Sequence, residues 1–116
     1  MPPTAMKKAE YPAIRQKFLG SCLPPEAVQE NAIKYYSINL NVPDDLEKST
    51  YVLFGLGHNK EAAHGRKVDR NVPDKILYDH MIASGVSPET ECEKTYTCEN
   101  AHMNGCNVWY TVRLED

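Results

Sequence analysis

Apolar and polar residues change period several times along this chain, and each change predicts an element. Tyr11, Ile14, Phe18 and Leu19 fall at i, i+3, i+7 and i+8, the apolar stripe of a helix. Pro12 has no backbone donor to give to a helix interior, so the helix begins near Tyr11 with Pro12 in its first turn. Gly20 ends it, Leu23-Pro24-Pro25 connects it onward, and residues 1–4 read as a tail. A second helix is expected from Pro25-Glu26 to about Lys34, with Ala27, Val28, Ala32 and Ile33 toward the core. Then the period drops to two. Tyr36, Ile38, Leu40 and Val42 alternate with Ser37, Asn39 and Asn41, a half-buried strand that Pro43-Asp44-Asp45 turns back.

Thr50 to Leu56 is β-branched and aromatic and reads as a buried strand, with a helix segment as the alternative. Residues 57–72 are polar without a firm period and read as a long loop, with a short helix at Asn59 to Ala63; loops of that length tend to be functional or mobile. Pro73-Asp74 opens a further helix through Ile76, Leu77, His80 and Met81, closed by Gly85, and Val86 to Glu91 links onward. In the last strand Cys106, Val108, Tyr110, Val112 and Leu114 share one face, and Asn107, Trp109, Thr111 and Arg113 the other. Together these predict one α+β domain over residues 1–116. Its sheet is small and mainly antiparallel, with three or four strands, and two or three helices pack on it.

Composition narrows the function classes. At 116 residues, with 41% hydrophobic and 25% charged residues, one core is expected and wholesale disorder is not. A net charge of −3 with no basic stripe argues against a nucleic-acid partner. No apolar run approaches a membrane span, although peripheral membrane contact stays open, and the N-terminus lacks the apolar core of a signal peptide. Charge is segregated. Lys7, Lys8, Arg15 and Lys17 face only Glu10 in the first twenty residues, whereas six acids face Lys94 and Arg113 from residue 89 onward. The two ends can attract each other. The basic helix is also a candidate docking surface, and Trp109 a candidate anchor unless the first helix covers it.

The cysteines, Cys22, Cys92, Cys98 and Cys106, are even in number and clustered, which points to disulfides and an oxidising compartment: secreted, exoplasmic or mitochondrial intermembrane space. If Asn104-Gly105 is a two-residue turn, Met103 pairs with Cys106 and Cys98 lies opposite Thr111. Cys98 and Cys106 then face opposite sides. The bridges become Cys92–Cys106 with Cys22–Cys98, or Cys22–Cys106 with Cys92–Cys98. A zinc set of Cys92, Cys98, His102 and Cys106 has suitable donors but lacks a C-x2-C hook. Free thiols are the third alternative.

Catalytic chemistry is not spelled out. Asp79 and His80 are adjacent but diverge on a helix, and His80 reads as a partly buried structural residue. Gly55-Leu56-Gly57 is like a phosphate-cradling turn, yet Lys60 stands where a dinucleotide fingerprint has glycine. No serine sits in a nucleophile elbow, and nothing beside Cys22 activates it. The expectation is a non-enzyme with no cofactor.

Ile38-Asn39-Leu40, Leu46-Glu47-Lys48-Ser49 and Tyr51-Val52-Leu53-Phe54-Gly55-Leu56, followed by an Asn- and His-bearing stretch with His64, Arg66, Val68 and Arg70, resemble part of the exoplasmic domain of lipid-flippase accessory (beta) subunits. Glu91-Cys92 and Cys106 resemble the ends of a disulfide-closed loop in that family. The resemblance covers about residues 36–106. It departs from the family at Asn59 to His64, where an aromatic-Gln-Asn-His core is expected, and in lacking a sequon and membrane spans. The resemblance implies an accessory subunit that binds a membrane transporter without doing chemistry, with His64 and Arg66 among its contact residues. Two function classes therefore stand: a non-catalytic accessory subunit docked on a larger, membrane-associated assembly of protein subunits, or a small secreted, disulfide-stabilised binding or effector domain. A small zinc-binding domain is the third.

Overall fold

The first helix lies where its apolar stripe ends at Gly20, and the two flanking segments are strands of one sheet. The computed structural model describes residues 4–23, 36–58, 71–99 and 105–116. Among these the elements are β1 (Met6–Lys7), α1 (Tyr11–Gly20), β2 (Tyr36–Asn41), β3 (Tyr51–His58), α2 (Asn71–Ala83), β4 (Cys92–Glu99) and β5 (Gly105–Glu115). This is the α+β fold expected, but its mixed sheet has five strands. The expected helix near 25–34 and the short helix at 59–63 lie outside the described residues.

The sheet runs β2-β3-β5-β4, antiparallel throughout, and β1 pairs in parallel with the end of β5 on the β4 side. The chain start is thus part of the sheet. Thr4, read as tail, bridges Thr90 and accepts from the Glu91 N–H at 2.9 Å, and Ala5 and Met6 are buried.

One face of the sheet holds the core. Val52, Phe54 and Leu56 of β3 and Val108, Tyr110, Val112 and Leu114 of β5 meet Tyr11, Ile14 and Phe18 of α1 and Leu77 and Met81 of α2. Phe18 stands edge-on to Phe54 with ring centroids 4.9 Å apart, a favoured aromatic geometry. Leu19, at the margin of the α1 stripe, is exposed instead. His80 occupies the core side of α2, where its Nε2 lies 2.8 Å from the Phe18 carbonyl oxygen and its ring packs on Phe18. It ties the two helices together, as a structural histidine does.

α2 ends through backbone geometry. Gly85 has φ +112°, a conformation L side chains rarely adopt. It lets the Val86 N–H reach the Met81 carbonyl at 3.1 Å and its own N–H reach Ile82 at 3.0 Å, the paired closure of a Schellman motif. At the other end Asp74, in the first turn, accepts from Lys94 Nζ at 2.8 Å and from the Tyr110 hydroxyl, docking the helix on β4 and β5.

The charged ends do meet. Lys7 pairs with Glu115 at 2.9 Å, and Lys8 with Asp116 at 3.4 Å and with the Glu47 carbonyl at 2.5 Å. The Glu115 carboxylate, through its bond to Lys7 and their attraction, is held below its ordinary pKa, and the Lys7 ammonium above its own. Among the described residues no helix is long and apolar enough to cross a membrane.

Candidate binding face

Both helices lie on the core face, so the odd-numbered residues of β5 are left on an outer face that no described helix covers. Trp109 sits there, half-buried, opposite Gly55 of β3 and Thr95 of β4. The indole lies directly on Gly55: a Cβ at that position would stand 2.5 Å from Trp109 Cε3. Glycine in the middle of a strand forgoes packing, and here its place is taken by the ring. The alternative in which α1 covers Trp109 is thereby settled against.

One rung along, Gly57 lies between Ser37 of β2 and Asn107 of β5. A Cβ there would fall 2.7 Å from Ser37 Oγ and 2.9 Å from Asn107 Oδ1. With no side chain on β3 between them, β2 and β5 reach across, and Asn39 Nδ2 donates to Asn107 Oδ1 at 3.3 Å. The result is an aromatic plate bordered by short uncharged polar groups, Ser37, Asn39, Asn107, Thr95 and Thr97. Gly55-Leu56-Gly57, like a phosphate-cradling turn in sequence, is instead part of β3; its glycines make room for side chains. The signal available in the sequence was a pair of glycines two residues apart, Gly55 within the predicted strand and Gly57 just past its end, in a chain with a sole tryptophan.

Beyond Trp109 the outer face opens into a groove of about 640 Å³ lined by Thr50, Tyr51, Glu91, Glu93, Thr111 and Arg113. Tyr51, 56% exposed, stands between it and a second hollow floored by Asn41 and Leu53. The arrangement offers flat apolar contact and neutral hydrogen bonding at one end, and carboxylates beside a guanidinium at the other.

The remaining candidate residues scatter. Lys7 and Lys8 are engaged with the C-terminus, whereas Arg15 and Lys17 are exposed on α1, Lys17 in its last turn, where it complements the helix dipole. His64, Arg66 and His102 lie outside the described residues. Cys22 is an exposed free thiol, and Cys92 a partly buried one whose Sγ donates to the Thr90 carbonyl at 3.6 Å. Burial, with Glu91 nearby, pushes the Cys92 thiol pKa up.

The register corrects the cysteine reading. β4 and β5 close at Glu99↔Gly105, so Gly105 is a strand residue and Asn104-Gly105 is not a two-residue turn. Cys98 therefore pairs with Cys106, not Thr111, and Cys92 pairs with Val112. Cys92 stands six residues along the strands from both, about 20 Å at strand rise. That distance removes the bridges Cys92–Cys98 and Cys92–Cys106, and with them the zinc set of Cys92, Cys98, His102 and Cys106. Cys22 and Cys92 are in no disulfide, and among the described residues no three His, Cys, Asp or Glu side chains are grouped to hold a metal.

Comparison with protein-family models, with curated proteins and with solved structures yields no match to this chain.

Proposed function

We propose that this chain is a non-catalytic binding subunit that docks on a larger protein assembly through the outer face of its sheet. The observation that carries the reading is Trp109, held flat on Gly55, half-exposed and ringed by Ser37, Asn39, Asn107, Thr95 and Thr97. A rigid aromatic plate with an uncharged hydrogen-bonding rim is the chemistry of an interface centre, where the anchor is desolvated and its surround excludes water. The partner this fits is a protein surface offering an apolar side chain to the indole and peptide groups to the amides. Charged groups at the Glu91–Arg113 end then set orientation. The resemblance of residues 36–106 to flippase accessory subunits points the same way, toward a subunit that binds a membrane transporter. A second reading, a small secreted binding domain, uses the same face but has no permanent assembly; the facing cysteines of β4 and β5 favour it.

Size-exclusion chromatography with mass measurement on gently extracted native material tests the proposal. The chain should migrate in a complex far above its own 13.1 kDa. Trp109→Ala should release it as a monomer, while Leu19→Ser, on the exposed margin of α1, should not. A wild-type chain that runs free, or a Trp109→Ala chain that stays in the complex, overturns it.

A further inference from the structure

The hydrogen-bonding parity of the sheet sorts its cysteines. The Leu114 N–H donates to the Thr50 carbonyl at 2.8 Å, so even-numbered residues of β5 turn their backbone groups toward β3. Odd-numbered residues turn theirs to the other edge, as the Lys8 N–H to Glu115 carbonyl bond of 2.8 Å shows. Along the unbroken β4–β5 ladder, Glu93↔Thr111, Thr95↔Trp109 and Thr97↔Asn107 are therefore the hydrogen-bonded pairs. Cys98↔Cys106 is a non-hydrogen-bonded pair. In such pairs the Cα atoms stand about 4.5 Å apart and the side chains approach most closely. That separation falls within the 4.4–6.8 Å that a disulfide accepts.

We propose that Cys98 and Cys106 are a redox pair that forms a cross-strand disulfide at the last rungs of the β4–β5 hairpin. Formation needs a disulfide as oxidant, and oxidised glutathione suffices. One cysteine thiolate attacks a glutathione sulfur, giving a mixed disulfide and one glutathione thiolate. The second cysteine, as thiolate, displaces the other glutathione. Two protein thiols lose two protons and two electrons, and one glutathione disulfide becomes two glutathiones. Cys92 takes no part: it stands some 20 Å along the ladder, and its burial keeps it protonated. Register places His58 opposite Cys106 on β3. These register positions bring together three residues of zinc-binding type, where a structural site takes four. A disulfide needs only the facing pair. Its effect is to pin the register of the strand that carries Asn107 and Trp109, and so the outer face.

The full chain, equilibrated in a glutathione buffer with the reduced form in excess, so that single exposed thiols such as Cys22 stay free, and then alkylated, is read by intact mass and by cleavage after methionine. The expected product is lighter by two hydrogens before alkylation and takes up two alkyl groups, at Cys22 and Cys92. The fragments on either side of Met103, 82–103 and 104–116, stay joined after cleavage until reductant is added. Cys98→Ser and Cys106→Ser should each abolish the link, and Cys92→Ser should leave it. Reductant should lower the wild-type Tm by roughly 10 °C and leave the Cys98→Ser, Cys106→Ser double variant unmoved. Four alkylated thiols, a link that includes Cys22 or Cys92, or protection that a chelator removes with release of one zinc each overturns the proposal.

Discussion

Replacing Gly55 with alanine places a methyl group 2.5 Å from both Cε3 and Cζ3 of Trp109 and 2.9 Å from its Cη2. Relaxed carbon–carbon contacts lie near 3.5–4.0 Å, so the indole has to lift by about 1 Å or more. Overpacking of this kind costs about 1–3 kcal/mol. Alanine returns about 0.5–1 kcal/mol by restricting the unfolded chain relative to glycine. No unusual φ holds Gly55, so the clash decides the sign, and a net loss of about 1–2 kcal/mol is expected. The double-mutant cycle isolates it. In a Trp109→Ala background the methyl meets no ring, and Gly55→Ala becomes neutral or slightly stabilising. Urea denaturation followed by far-UV circular dichroism measures all four proteins. Trp109 is the sole tryptophan, so its fluorescence in Gly55→Ala should also shift to the red as the ring lifts into water. Equal destabilisation with and without Trp109, together with unchanged emission, refutes the reasoning.

The same geometry supports further tests. Burial first, then the bond to Asp74 and its charge, raises the Tyr110 pKa above its ordinary value of 10.0. Above pH 10 the unfolded chain loses a proton that the native chain keeps, so this contribution is complete below that pH and is lost as pH rises through the native value. Urea midpoints should fall above about pH 10 in the wild type and fall less steeply in Tyr110→Phe. Burial also raises the Tyr11 pKa, so Tyr11 and Tyr110 should resist phenolate formation, read at 295 nm, in the native chain. His80→Ala removes a buried ring and its bond to the Phe18 carbonyl, and should cost about 2–4 kcal/mol in urea denaturation without changing retention in the assembly.

Local pattern alone determined the elements. Alternation at Tyr36–Asn41 and Val108–Leu114 gave strands with the correct faces, because a two-residue period is a property of the strand itself, whereas Val42, expected inward, lies past the end of β2 and is exposed. Pro12 and Gly20 bounded α1, and Pro73 and Gly85 framed α2, because each acts on its own backbone. Segregated charge at the two ends was compatible with two solvated faces or with ends that attract, and the pairing of Lys7 with Glu115 chooses the second.

Tertiary structure decided how the strands pair. Asn104-Gly105 has the chemistry of a tight turn, but the ladder draws Gly105 into β5 opposite Glu99. The strand pairing thereby shifts by an odd number of residues. An odd shift carries every side chain of one strand to the other face of its partner, which turned Cys98 from a residue facing away from Cys106 into its direct opposite. β1 was not foreseen as a strand, since two residues are too few to show a period, and β4 was foreseen only through the hairpin reading, in another register, because Cys92–Glu99 is mostly polar. The binding face was equally silent. Which side of the sheet the described helices cover is a property of the whole fold, and only that choice leaves Trp109 half-exposed on Gly55 on the outer face.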